Sequence, residues 1–438
     1  MNNSNIVDVI VVGAGPAGCS TAIKLATAGI KVLVIERGNY AGSKNMFGGA
    51  VFSNVVEKLY PTYKQDAPIE RIVVQHNYSL LSENSSINIS YNNFNAVQKD
   101  NQALIVNRSK FDRWCADKAK EAGAYFAYDT VVRELITDKK NKVIGIKTDN
   151  EEFFAPLTIL ADGANSLLAK QIGLRKNFKL TDEILSIKEV YEFESEEVMN
   201  KKFNIKSGEG AMYELIGGPL KNKFALGILY THKKTLAIGL GVSMSDLIKS
   251  KQKPYELLDE LKMTPFISDI IKDGKSIEYS AHLIPESSPK TMPKLYTDGV
   301  MVVGDAAMLV NNLHFEGTNL AMMSGFFAAQ VAQEAIKKQD FSVKTLKQYD
   351  KLIKKSFIYK DIKTYRNVMR TLHRNSDTFM GYYIEKMNEF FSSFIEVDSI
   401  PKKEKYQKFI LKFLKNINPI RLIKDILDVI KLAIEAIF

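Results

Sequence analysis

Three glycines and an acid near the start of the chain have the types and spacing to grip a diphosphate and a sugar. Gly13, Gly15 and Gly18 stand in GAGPAG, with Pro16 and Ala17 among them, and Glu36 follows roughly twenty residues on. Gly13 permits a tight strand-to-helix turn. Gly15 lets the main chain approach a pyrophosphate with no Cβ in the way, and Gly18 lets the helix pack close to the strand. The amides that open the helix then face the phosphates, with the positive end of the helix dipole behind them. A carboxylate at Glu36 is placed to accept hydrogen bonds from a ribose diol. Alone, such a glycine motif says little, and by itself it does not separate NAD from FAD.

The surrounding elements give it weight. Residues 7–12 are, apart from Asp8, apolar and β-branched, as in a strand buried on both faces. CSTAIKLATAG reads as a helix with Ala22, Leu25 and Ala26 on one face, Gly29 as its stop, and KVLVIE as a second buried strand ending at Glu36. Two later segments repeat the pattern of apolar strand, then acid: 157–161 before Asp162 and Gly163 in ADGANS, and 300–303 before Gly304 and Asp305 in VVGDAA. Strand ends of this kind are where an open α/β sheet binds ligands. Arg108 opens a helix in VNRSKFDRWCADKA, where Asp112 and Arg113 read as a local charge pair.

Taken in order, GAGPAG with Glu36, ADGANS and VVGDAA resemble the large FAD family of flavin hydroxylases, geranylgeranyl reductases and electron-transfer flavoprotein–quinone oxidoreductases. The resemblance implies bound FAD. It implies that Asp305 accepts from ribityl hydroxyls and that the amides of Gly317, Thr318 and Asn319 face the flavin pyrimidine. It also implies cofactor contacts at Arg108, Val132, Asp162, Gly163 and Gly304. The stretch ERGNYAGSKNMFGGAVF is similar to the FixC-type branch, in which such a segment lies over the flavin; the matching positions are Glu36, Arg37, Gly42, Lys44, Asn45, Gly48 and Gly49. HLIPE, at 282–286, also looks like this branch, and the resemblance spans about residues 5–345. Met46, Phe47 and Met308 depart from the pattern, and His314, in the loop before Gly317, reads as a packed or surface histidine, with proton relay as the alternative.

The implied fold is α/β: a Rossmann-like FAD-binding domain (1–70, 99–180 and 288–340), an interleaved β-rich substrate (quinone) domain (71–98 and 181–287), and a helical C-terminal region (341–438). The alternating FALGILY and TLAIGLGV, and the NYSLL and INISYN stretches, read as strands of the substrate domain. The implied function is an FAD-dependent oxidoreductase passing electrons from an electron-transfer flavoprotein to a quinone, with a separate ferredoxin-like iron–sulfur partner. The alternatives are a flavin-dependent reductase of isoprenoid lipids, a flavin hydroxylase and a flavin-bearing docking subunit. No catalytic acid or base is assigned, and no metal is expected.

Composition agrees with this and narrows it. The 438 residues are 45% hydrophobic and 25% charged, as in globular proteins. Two cysteines, Cys19 and Cys115, fall short of the roughly four thiolates of an iron–sulfur cluster and fit a reducing cytoplasm. The net charge of +10 comes without a nucleic-acid-binding signature, so no nucleic-acid partner is expected. No apolar run reaches the roughly 18 residues of a membrane span, and the N-terminus reads as a strand and not as a signal peptide. The C-terminal region is rich in lysine, with apolar stripes at 409–417 and 420–437 and a helix start at Asn418–Pro419. Such a basic amphipathic hairpin suits the inner face of the cell membrane, a partner, or the protein's own core.

Overall fold

The computed structural model describes residues 7–44, 49–177, 179–314 and 316–437. The chain forms two compact units: Met1–Val73, Asn95–Ile184 and Ser280–Lys363 make the first, and Val74–Phe94, Leu185–Tyr279 and Thr364–Phe438 the second. The helical residues from Thr364 onward group with the second unit.

Seven elements of the first unit position the site. They are β1 (Val9–Val12), α1 (Pro16–Ala26), β2 (Val32–Ile35), α2 (Arg108–Glu121), β3 (Leu157–Leu160), β4 (Val300–Val302) and α3 (Thr318–Lys338). The sheet runs Tyr296–Thr297, β4, β3, β1, β2, Tyr125–Ala127. All its pairings are parallel except that of the edge strand Tyr296–Thr297. Strand β1 lies between β2 and β3, with Val9 opposite both Val32 and Leu157. A strand enclosed on both edges and both faces must be apolar throughout, and Val9, Ile10 and Val11 have no exposure. The C-terminal ends of β1, β3 and β4 therefore open side by side at one edge of the sheet. A separate antiparallel sheet joins Val132–Thr137, Val143–Thr148 and Glu152–Phe154.

The second unit holds strand residues 185–192, Thr235–Ser243, Ala225–Thr231, Glu209–Gly217 and 74–81 in that order, with Ser86–Asn92 beside the last. The FALGILY and TLAIGLGV stretches pair antiparallel, as the alternation predicts. Helix Pro254–Met263 covers one face: a Cβ on Gly227 would lie 3.2 Å from Leu261 Cδ2.

The chain closes with helices Lys402–Asn416 and Pro419–Ile437, and the Asn418 side chain caps the last one, accepting from the amides of Ile420 and Arg421. This last helix is turned inside out. Its inward side is polar: Asp425, 2% exposed, accepts from the Tyr383 hydroxyl at 2.8 Å and Arg421 Nε at 3.0 Å. Asp428 accepts from Arg374 and Asn375, and Glu435 from Asn367. Its apolar stripe faces outward, with Ile420 at 79%, Ile423 at 60% and Leu427 at 60% exposure. Among the described residues no helix is long and apolar enough to cross a membrane.

Candidate cofactor site

The GAGPAG turn is built by two glycines and left open by a third. Gly13 sits at φ +102°, donates to Ile35 O at 2.8 Å, and would bring a Cβ within 2.3 Å of Ala161 O. At Gly18 a Cβ would lie 1.9 Å from Gly13 O. Gly15 differs: its backbone is extended, and a Cβ there would meet nothing within 4 Å. Among the described residues nothing requires glycine at 15, whereas a close-lying diphosphate would. Pro16 occupies the first turn of α1, where its missing N–H is no loss, and no side chain caps that turn. Ala17 lies against the GDAA turn, since a Cβ on Gly304 (φ +61°) would stand 3.0 Å from Ala17 Cβ. The GAGPAG and GDAA turns are thus neighbours, although almost three hundred residues separate them.

Glu36 is half-buried at the end of β2 and accepts from the amides of Ala14 at 2.8 Å and Gly38 at 2.7 Å. One amide on each oxygen leaves acceptor capacity for a sugar diol. Arg37 beside it is exposed. Val132 follows the 128–131 loop, whose Thr130 amide donates to Glu36 O at 3.0 Å, and packs partly buried on the core.

The second half of the site gathers charged groups. Asp305 is half-buried, and among the described residues no donor reaches its carboxylate. Burial raises its carboxyl above the usual range, opposed by His282, Arg108 and Arg175. Such a carboxylate fits the hydroxyls of a sugar alcohol. Asp162 accepts from the Leu168 amide at 3.4 Å, and burial pushes it up to about 6. Arg175 donates to Ala306 O at 3.1 Å and is brought down to about 10 by burial, with Asp162 and Asp305 opposing. Gly163 (φ +76°) has open space around its Cβ position.

Arg108 grips both oxygens of Asp112, at 2.8 and 3.0 Å, and donates through Nη1 to Thr318 Oγ1 at 3.0 Å. This corrects the expected Asp112–Arg113 pair. Residues four apart share a helix face and adjacent ones do not, so Arg113 instead lies over the Tyr40 ring, 3.9 Å from its centre. The Arg108–Thr318 bond ties the start of α2 to the start of α3. Asn319 Oδ1 accepts from the Phe52 amide at 2.9 Å, and Gly317 leaves the approach to the α3 amides open. Met308 adopts φ +56°, a left-handed conformation that favours glycine. Lys44 and His314 are exposed; Gly49 accepts from the Val106 amide at 2.7 Å. Asn45 and Gly48 lie outside the described residues, with Met46 and Phe47.

The structure adds residues that belong to no motif. Arg175 is one, and Ser324, which accepts from the Gly304 amide at 2.9 Å, is another. Ser287 and Asn312 form a buried pin: the Ser287 amide donates to Asn312 Oδ1 at 2.8 Å, and Asn312 Nδ2 donates to Pro285 O at 3.0 Å. The Ser287 hydroxyl also donates to Met308 O. This pin fastens the HLIPE segment to the loop after GDAA and sets His282 among the site's charges. A small-residue signal of this kind is invisible without the contact.

Comparison with known proteins places this geometry. The chain matches the FAD binding domain family over residues 6–351 and the ETF-QO/FixC family C-terminal domain over 368–433. It is 38% identical to Protein FixC of Azorhizobium caulinodans over 413 residues, 93% of this chain and 94% of that one. It is 35% identical to Protein FixC of Escherichia coli over 425 residues, 97% and 98% of the two chains. Among solved structures, a geranylgeranyl bacteriochlorophyll reductase-like protein of Thermoplasma acidophilum shares the fold, with a TM-score of 0.72 at 24% identity over 93% of this chain and 96% of that one. The likeness therefore continues well past residue 345, where the motifs end, into the helical C-terminus.

Proposed function

The chain belongs to the ETF-QO/FixC family of FAD-dependent oxidoreductases, and from that premise we propose that it passes electrons from an electron-transfer flavoprotein to a quinone. FAD, when bound, would supply the two-electron redox chemistry. The chain's residues bind and orient. The open amides at Gly15–Gly18 receive the diphosphate, Glu36 the ribose and Asp305 the ribityl hydroxyls. The start of α3, tethered through Thr318 to Arg108, turns its positive dipole end to the charge that reduction brings.

The observation that carries the reading is the meeting of the GAGPAG and GDAA turns within one unit of a chain that also matches the ETF-QO/FixC C-terminal domain. The two cysteines, both buried, support an iron–sulfur centre on a ferredoxin-like partner. The test is anaerobic. Reduced holoprotein is mixed with a water-soluble quinone analogue, with and without a candidate ferredoxin, and flavin absorbance is followed. Reoxidation at a rate that rises with quinone concentration is expected; none at any concentration removes quinone as the acceptor and moves weight to isoprenoid reduction.

A quinone is dissolved in the bilayer, and the inside-out last helix supports docking there. Its outward stripe from Ile420 to Ile434 is exposed, and Lys424 and Lys431 lie beside it. Full-length protein should sediment with vesicles containing anionic lipid, and replacement of Ile423, Leu427 and Ile430 by serine should abolish this. Equal sedimentation of the two proteins would end the membrane reading and leave electron transfer untouched.

A further inference from the structure

His282 stands in the strand Lys275–Pro285, and from Ser280 onward that strand belongs to the first unit. The Ser287–Asn312 pin holds it against the loop after GDAA. The imidazole is half-buried and has no hydrogen-bond partner among the described residues. The charged groups that act on it are Asp305, Arg108 and Arg37, all from the cofactor site. An imidazole without a structural bond, on a segment pinned to the loop after GDAA and within the influence of a carboxylate and two guanidinium groups, is poised to respond to a charge on a cofactor held there.

We propose that the His282 imidazole takes up a proton when bound FAD is reduced and releases it when FAD is reoxidised. The balance is as follows. Two electrons and one proton added to FAD leave one additional negative charge in the site. One further proton passes from water to the imidazole, forming an N–H bond and cancelling that charge. On reoxidation by an acceptor that takes two electrons and two protons, one proton leaves with the flavin's electrons and the second leaves His282.

The surrounding charges favour this exchange. Burial holds the imidazole below its usual value, Arg108 and Arg37 push the same way, and Asp305 opposes them. The group is therefore neutral near pH 7. A negative charge added at the cofactor makes a nearby imidazole more basic. That favours uptake of the proton by His282 on reduction. The inference rests on FAD binding alone and holds whichever electron acceptor is used.

The test is the pH dependence of the FAD midpoint potential in the holoprotein, from about pH 6 to about pH 8, across the usual imidazole range. Wild-type protein should show a stretch in which two protons accompany two electrons, twice the slope of a one-proton process. H282Q should follow the one-proton slope throughout. A one-proton slope in the wild type over the whole range overturns the proposal, as does a two-proton stretch that survives in H282Q. Should H282Q not retain FAD, nitrogen-15 NMR of the imidazoles in oxidised and reduced wild-type protein decides. A ring that becomes protonated on reduction, in a chain with only five histidines, supports it, and five unchanged rings overturn it.

Discussion

Gly15 and Gly18 stand one helical turn apart and should fail in opposite ways. At Gly18 an added methyl would lie 1.9 Å from Gly13 O and 3.1 Å from Gly13 C. The obstacle is main chain in a fully packed turn, so it cannot rotate away as a side-chain tip would. Overpacking of a rigid core costs about 1–3 kcal/mol, and a clash with backbone belongs at the upper end. At Gly15 the methyl meets nothing within 4 Å, and the backbone angles are ones that alanine adopts freely. Gly15→Ala should leave the apoprotein's stability within about 1 kcal/mol of wild type, because the smaller unfolded-state entropy offsets the poorer N-cap. Its methyl, however, occupies the approach to the α1 amides. Loss of even one charged hydrogen bond, worth about 1.5–3 kcal/mol, weakens FAD binding roughly 10- to 150-fold. Both proteins should be stripped of flavin before thermal or urea melts, since bound FAD itself raises stability. FAD affinity is then read from the quenching of flavin fluorescence on titration. Full-strength FAD binding by Gly15→Ala would refute the assignment of this turn to the diphosphate. A Gly18→Ala apoprotein as stable as wild type would refute the packing argument.

Three further outcomes follow from the same geometry. Glu36→Ala removes the acceptor for the Ala14 and Gly38 amides as well as for the ribose, so FAD affinity should fall at least roughly 10-fold by the same titration; unchanged flavin content would count against the ribose role. Arg108→Ala removes both hydrogen bonds that Arg108 makes to the buried carboxylate of Asp112, 1% exposed, which should cost about 3–5 kcal/mol in urea unfolding, while the double change Arg108→Met with Asp112→Leu should recover most of it. Asp162 is raised to about 6 by burial, against about 3.9 in an unfolded chain, so its contribution is fully present below about pH 4 and lost as pH rises through about 6. Flavin-free Asp162→Asn should therefore match wild type near pH 4 and exceed it by about 2–3 kcal/mol above pH 6, and parallel stability curves would show that Asp162 is not buried as described.

What the sequence made legible was local. The βαβ unit, its glycines and the strand-end acids follow from patterns that close within about forty residues, because turn sterics and hydrophobic period act at short range. The Asn418 cap and the start of the last helix at Pro419 were legible for the same reason. What escaped was contact at long range. Arg175 reaches the carbonyl of Ala306, 131 positions away, and Arg108 reaches Thr318 across 210. No spacing rule announces such bonds. The Asp112–Arg113 reading failed on a local point: adjacency in sequence was weighed above the helix face, which joins Arg108 to Asp112.

The last helix shows a deeper limit. An apolar stripe at three–four spacing states that one face differs from the other; it does not state which face looks inward. The usual inference, apolar side to the core, holds because water is the usual alternative. Here the inward side is occupied by Asp425, Asp428 and Glu435, each matched to a donor on the preceding helices. A buried carboxylate is tolerated only when its partners are already in place, so these pairings, and not the stripe, set the orientation of the helix. The acids and their partners Asn367, Arg374 and Tyr383 lie some forty to seventy residues apart, and no periodicity links them. With its polar side anchored in this way, the isoleucine stripe is left facing outward, an arrangement that lowers the free energy only if something apolar meets it.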